Sequence, residues 1–216
     1  MIVSMDRKLF VFDIGGVVVF HPSVMDEFSA HYNLDKSEVR SDWAAYSKPI
    51  MDGFCGPEIM YRMFEHKYNL DLSNDDLMLT YYHPTVNQPM IEIIKALRRS
   101  GHRVVSGSNT YAGHWEYCKA MPERPLDCFD KLYASHEIHF SKPDAEFYQF
   151  ILNNEGFEPE QAVFTDDFAV NIDSALLSCV YRKVVIPSFS ALSILTAKSS
   201  VKTACSGSKP SLLRMN

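Results

Sequence analysis

The 216-residue chain has no excess of positive charge; its formal net charge is −6. Nucleic-acid and membrane-surface binders need clustered cations, so neither partner is expected, and an anionic substrate here would need local cations or a metal ion. A framework of paired cysteines is also missing: Cys55, Cys118, Cys128, Cys179 and Cys205 are odd in number, scattered and without CxxC spacing. They fit neither a disulfide scaffold nor a zinc site, and a reducing cytoplasm suits them. The N-terminal apolar stretch, residues 9–20, contains Asp13 and two glycines and falls short of the about 18 residues a span requires. It reads as neither a membrane span nor a signal peptide. Acidic residues are absent after Asp173, and the stretch from Ser188 is rich in Ser, Lys and Thr, so residues 199–216 are expected to be disordered. There is no internal repeat.

What is present is 46% hydrophobic sequence, enough for one full core domain and a modest insert. Residues 8–12 form a short apolar run ended by Asp13 and the pair Gly15-Gly16, which suits a parallel strand buried on both faces. Residues 102–106, 131–134 and 162–165 have the same character. Helical patterns separate these runs: residues 90–99 close at Gly101, and residues 145–153 follow Lys142-Pro143-Asp144, a good helix start. Strands alternating with helices imply βαβ units and a mostly parallel sheet.

Between the first two strands lies a long segment, residues 22–89, with helical periodicity at 25–32, 36–46, 57–68 and 74–82. A helical insert there would sit over the carboxyl end of the first strand, where open α/β sheets bind ligands. Its aromatic residues, Trp43, Tyr46, Tyr61, Phe64, Tyr81 and Tyr82, read first as packing between amphipathic helices and second as a wall for a substrate ring.

The apolar runs end in polar groups: Asp13, Ser108-Asn109-Thr110, the loop Ser141-Lys142-Pro143, and Asp166-Asp167. Taken singly, each reads as a turn, a helix cap or a solvated helix start. Parallel strands bring all of them to one edge, and carboxylates, a hydroxyl and an ammonium group together suit phosphoryl transfer. A carboxylate nucleophile repels phosphoryl oxygens, so a divalent cation between Asp13 and the acidic pair is expected, and Mg²⁺ suits an all-oxygen site. Lys142 would neutralise the transferring oxygens, and the Ser108 hydroxyl with nearby backbone N–H groups would hold them.

VFDIGGVVV (11–19), VVSGSNT (104–110), SKPD (141–144) and VFTDDFAVN (163–171) resemble, in order, the four motifs of the haloacid dehalogenase superfamily. The resemblance covers residues 8–175. Response-regulator receivers use similar residues but place the acidic pair first, whereas here it comes last. SNTYAGHW (108–115), with His114, and the DDxxxN pattern of 166–171 are similar to the helical-cap branch that includes α-glucose-1-phosphate phosphatase and the epoxide hydrolase N-terminal domain. The resemblance implies a Rossmann-like core of residues 1–20 and 86–187, a helical cap of residues 21–85 and an atypical tail, 188–216. It implies hydrolysis of a small phosphorylated metabolite, a sugar phosphate above all, through an aspartyl-phosphate, by a monomer or weak homo-oligomer. Asp13 would be the nucleophile and a metal ligand, with the Gly15 carbonyl, Asp167 and Asp166 completing the metal site. Gly15, Gly16, Ser108, Asn109 and Lys142 would bind the phosphate.

The chain departs from the family in two places. Most members carry an acid–base Asp two positions after the nucleophile, where this chain has Gly15, as does the glucose-1-phosphate phosphatase-like branch; His21 or His83 is the expected substitute proton donor. Ser178-Cys179 stands where the family has Leu-Gly, which with the loss of acidic residues points to a diverged or frame-shifted terminus and leaves the last strand in question. Two other classes stay open: a non-catalytic phospho-ligand binder, and a metal-independent 2-haloacid dehalogenase.

Overall fold

The computed structural model describes residues 7–73, 76–177 and 183–185. In chain order the elements are β1 (Leu9–Phe12), β2 (Val19–Phe20), α1 (Val24–His31), α2 (Lys36–Met51), α3 (Glu58–Tyr68), α4 (Leu77–Thr80), β3 (Thr85–Val86), α5 (Gln88–Arg99), β4 (Arg103–Ser106), α6 (Ala112–Ala120), α7 (Ser135–Ile138), α8 (Ala145–Glu155), β5 (Ala162–Asp166), α9 (Ala169–Leu177) and β6 (Lys183–Val185). The main sheet is parallel with order β4-β1-β5-β6, so the fold is α/β with β1 inside.

The continuous apolar runs are explained by cover on both faces. Alternate residues of a strand face opposite ways: Leu9 and Val11 join Val105, Phe164, Phe147 and Ile151 on the α8 and α9 side. Phe12 and Val104 join Ile91 and Ile94 of α5 and Trp115 of α6 on the other. This second cluster continues without a break into the helical segment through Phe28, Phe64, Ile50 and Leu77. The aromatic side chains at 43, 46, 61, 64, 81 and 82 all pack against it, Phe64 stacking on Phe28 at 5.2 Å.

Helices α1–α4 leave and return at one place. β2 and β3 pair antiparallel, Val19 opposite Val86 and Phe20 opposite Thr85. Asn87 fastens the two crossings, its N–H donating to the Val18 carbonyl at 2.9 Å and its side-chain amide to the Val17 carbonyl at 2.8 Å.

The structure differs from the sequence expectations in three elements. Residues 131–134 are not a strand; they make only isolated bridges, Lys131 to Val105 and Ala134 to Ser108. The Ser106 hydroxyl supplies the reason: it accepts from the Tyr133 N–H at 2.8 Å and donates to the Tyr133 carbonyl at 3.2 Å, so a side chain interrupts the backbone ladder. α2 runs past Tyr46 to Met51 with Pro49 inside it, because Ile50 is almost wholly buried there and tertiary burial outweighs the lost helical bond. α4 is a single turn, shorter than the expected 74–82 segment, of which residues 74 and 75 lie outside the described residues. β6 does extend the sheet, Val184 opposite Thr165, while the tail 188–216 lies outside the described residues. Among the described residues no helix is long and apolar enough to cross a membrane.

The edge of the sheet is tied to α8 by a buried carboxylate. Glu155, its side chain 4% exposed, accepts two bonds from Arg103, the shorter 2.5 Å, and one from the Tyr133 hydroxyl at 2.7 Å. Arg103→Met leaves that carboxylate short of its main partner and is expected to lower stability by ~2 kcal/mol, read as a fall in the urea midpoint at unchanged slope. An unchanged midpoint would show that the Tyr133 hydroxyl and the Lys131 ammonium, 4.0 Å from Glu155, suffice.

Candidate active site

Because the strands run parallel, their carboxyl ends meet at one edge. β1 ends into Asp13, whose N–H donates to the Thr165 carbonyl at 2.9 Å, so the first acidic residue lies against the end of β5. β5 itself ends in Asp166, followed by Asp167. β4 runs on through Gly107, whose N–H donates to the Phe12 carbonyl at 2.8 Å, to Ser108 and Asn109. Lys142 comes from the loop between α7 and α8, with a cis peptide bond to Pro143.

The Lys142 ammonium lies between two carboxylates, 2.8 Å from Asp13 Oδ2 and 2.6 Å from Asp166 Oδ2. Both residues on either side of each pair are buried. Asp166 is fully engaged, since its other oxygen accepts from the Phe168 N–H at 2.8 Å and the Asn171 amide at 3.0 Å. Asp13 Oδ1 takes the Ile14 N–H at 2.6 Å. Asp167 is different: its buried Oδ1 has no hydrogen-bond partner. One oxygen from each of Asp13, Asp166 and Asp167 falls within 4.8 Å of the others, a set able to hold a hard cation. Gly16 permits this approach. It has φ +71°, and a Cβ there would lie 2.1 Å from Asp167 Oδ2, so both backbone and space require glycine.

Three carboxylates around one ammonium leave an excess of negative charge. Burial pushes the Asp13 pKa up to about 7, Lys142 opposing the shift and Asp166 adding to it. Burial works against the Lys142 charge, but Asp13 and Asp166 outweigh it and hold that pKa above the ordinary lysine value. Asp167 is raised by burial and by Asp166.

Asp13, Lys142, Asp166 and Asp167 converge as described; Asp13 and Asp167 line the cavity floor with Gly15 and Gly16, while Lys142 and Asp166 are buried and do not line it. Asn109 lines the cavity, but its side chain grips the loop: Oδ1 accepts from the Lys142 N–H at 2.8 Å and Nδ2 donates to the Lys142 carbonyl at 2.7 Å. Ser108 is buried below, its backbone bonded to Tyr133 and Ser135. His83 is exposed and does not line the cavity, so it drops out as a proton donor. His21 does line it, with Nε2 3.8 Å from the place a Gly15 Cβ would take, while Nδ1 lies 2.8 Å from the Pro22 carbonyl. Burial lowers the His21 pKa. His114 is held neutral near pH 7, burial pushing its pKa to about 4; its Nε2 lies 2.9 Å from the Met78 carbonyl and its ring stacks on Tyr82.

Above this floor is a cavity of about 620 Å³. Its far wall comes from the helical segment, with Met25, Arg40, Trp43, Met51 and Met78. Apart from Trp43, sequence reasoning did not identify these side chains, because methionines at helical spacing carry no chemical signal. The same segment touches the lysine loop directly. Lys48 of α2 reaches Asp144 at 2.6 Å, Asp52 at 2.9 Å and the Ser141 hydroxyl at 3.2 Å. Asp144 therefore starts α8 without a side-chain cap bond, its carboxylate turned to Lys48.

A family model described as haloacid dehalogenase-like hydrolase matches residues 7–177. The bifunctional epoxide hydrolase 2 of Rattus norvegicus is 26% identical over 94 residues, 42% of this chain and 17% of that enzyme. D-ribitol-5-phosphate phosphatase of Bacteroides thetaiotaomicron is 30% identical over 86 residues, 38% of this chain and 42% of that enzyme. The matched part thus spans less than half the length of either relative. A sesquiterpene phosphatase of Aspergillus oryzae is 23% identical over 172 residues, 78% of this chain and 84% of that enzyme. In fold, the chain is similar to a HAD family enzyme of Bacteroides thetaiotaomicron solved with magnesium and inorganic phosphate: TM-score 0.70, 19% identity, 88% of this chain and 98% of that one.

The raised Asp13 pKa has a measurable sign. The folded chain holds this proton to about pH 7 while the unfolded chain releases it near 3.8. The stability it contributes is complete below the unfolded value and is lost as pH rises through the folded one. With divalent cations removed by EDTA, the urea-unfolding free energy is expected to fall between about pH 4 and 7, by at most ~1.4 kcal/mol per pH unit from this group. Asp13→Asn is expected to flatten that slope; an equally steep slope in the variant would assign the loss elsewhere.

Proposed function

The chain belongs to the haloacid dehalogenase-like hydrolases, and from that footing we propose that it is a Mg²⁺-dependent phosphatase of small phosphomonoesters. The observation that carries this reading is the Lys142 ammonium held between Asp13 and Asp166, with Asp13 and Asp167 lining a cavity and an Asp167 oxygen left without a partner. Asp13 attacks phosphorus, the bond from phosphorus to the leaving oxygen breaks, and an aspartyl-phosphate forms. Water then cleaves that intermediate, releasing inorganic phosphate and restoring the carboxylate. Lys142 offsets charge on the transferring oxygens, and Asn109 keeps its loop in place. The residues present fit a magnesium ion, since the donor set is all oxygen and Asp167 Oδ1 lacks any other partner. Asp13, Asp167 and the Gly15 carbonyl would hold it, with Asp166 adding charge. Bound there, the ion supplies further positive charge against the phosphoryl oxygens.

Gly15 has no side chain to protonate the leaving oxygen, and the His21 ring occupies the neighbouring space. In this reading His21, its Nδ1–H on the Pro22 carbonyl, acts as the imidazolium: Nε2 gives the leaving oxygen its proton, and the neutral ring later takes one from water. Helices α1–α4, with residues 21–85 as a cap over a core of 1–20 and 86–187, close the cavity and exclude bulk water. The setting is cytoplasmic, in keeping with the free thiols of Cys55, Cys118 and Cys128. A sugar phosphate is the substrate favoured by the motif resemblance; the phosphatase relatives carry polyol and terpenoid names and leave the organic group open.

Phosphate release from a panel of phosphomonoesters, with and without Mg²⁺, tests the reading. Activity is expected only with Mg²⁺ and is expected to vanish in Asp13→Asn. A folded, Mg²⁺-binding chain that releases no phosphate would instead be a phospho-ligand binder. His21→Asn is expected to slow alkyl phosphates by ~10²-fold or more and to spare p-nitrophenyl phosphate, whose leaving group departs without a proton. An equal loss on both would give His21 a structural role only.

A further inference from the structure

Resting on the phosphatase reading, we infer that the group esterified to the phosphate is apolar, an alkyl, prenyl or aryl chain, in preference to a sugar or polyol. The argument comes from the wall of the cavity. Once the phosphoryl group meets Asp13 and Lys142, the rest of the substrate faces the helical segment and the start of α9. Met25, Trp43, Met51 and Met78 line the first; Phe168 and Val170 line the second.

The polar side chains beside those surfaces are in part already engaged. Arg40 donates from Nε and Nη2 to Asp26, at 2.6 and 2.5 Å, so one edge of its guanidinium is taken. The Ser23 hydroxyl caps α1, accepting from the Asp26 N–H. Tyr111 lines the cavity as well, but its hydroxyl is buried away from the opening and has no hydrogen-bond partner. The hydroxyls of a sugar desolvated against the side chains of Met25, Met51, Met78, Phe168 and Val170 would lose water without matching donors or acceptors there, which is the costly case. Methylene groups meet no such penalty, and flexible methionines adapt to their shape.

The mouth of the cavity supports the same conclusion independently. Phe168 and Val170 are 62% and 58% exposed although both are large and apolar, and they follow closely on Asp167, whose buried oxygen lacks a partner. Apolar surface continuous with a reaction site gains most when the substrate itself covers it. The cavity volume, about 620 Å³, leaves room for a chain well beyond the phosphoryl group.

The experiment uses the full chain with Mg²⁺ and reads inorganic phosphate from ethyl, butyl, hexyl and octyl phosphate, glucose 1-phosphate, ribitol 5-phosphate and p-nitrophenyl phosphate. We expect kcat/KM to rise by about fourfold per added methylene until the cavity is filled, and both polyhydroxylated substrates to fall below octyl phosphate. Met25→Ser and Phe168→Ser are expected to reduce the gain per methylene; circular dichroism identifies any variant that fails to fold, and the alkyl series on the native chain stands without them. A flat alkyl series, or faster release from glucose 1-phosphate or ribitol 5-phosphate, overturns the apolar assignment and leaves the phosphatase reading standing. No release from any substrate, p-nitrophenyl phosphate included, overturns the phosphatase reading itself.

Discussion

An ammonium group buried between two carboxylates organises this molecule. The Lys142 side chain is 2% exposed, and an unpaired charge so placed would cost several kcal/mol. Its partners must therefore be held as firmly as the lysine itself. Asn109 clamps the lysine loop from β4, while the Phe168 N–H and the Asn171 amide fix Asp166. The Asn171 carbonyl then accepts from the Tyr148 hydroxyl at 2.7 Å, and Tyr148 lies on α8, the helix that begins just after the lysine loop. The supports form a closed ring, in which each member fixes the next.

That ring leaves one acid over. Asp166 has all its bonds, Asp13 has the lysine and a backbone N–H, and Asp167 retains a buried oxygen without a partner. Burial and like charge raise the pKa values of Asp13 and Asp167, which is unfavourable for a scaffold and suitable for a reaction site. The fold tolerates it because the cost is confined to one sheet edge, while the apolar clusters on both faces supply the stability.

Much of this was legible in the sequence, for reasons that differ from residue to residue. β1, β4 and β5 announced themselves because strands covered on both faces leave no polar alternation, so each apolar run had to stop where chemistry began. Parallel topology then placed Asp13, Asp166, Asp167 and Lys142 together without any contact being known. Other features depend on partners distant in the chain. A hydroxyl at Ser106 broke the ladder that residues 131–134 would have joined. The burial of Ile50 carried α2 through a proline. Two-residue strands such as β2 and β3 have no pattern long enough to read. The exposure of His83 and the turn of His21 towards Gly15 were equally invisible, since periodicity says nothing about which of two nearby histidines faces the site.

Lys48 binds the helical segment to Asp144, two residues beyond the buried lysine. The same ammonium also holds Asp52 and the Ser141 hydroxyl, so one side chain spans the end of α2 and the loop that carries Lys142. The Lys48 side chain is 57% exposed where that of Lys142 is 2% exposed, so dissolved salt screens the outer cation far more than the inner one. Ionic strength therefore loosens the join between helical segment and loop while leaving the buried charge pairs beneath it intact.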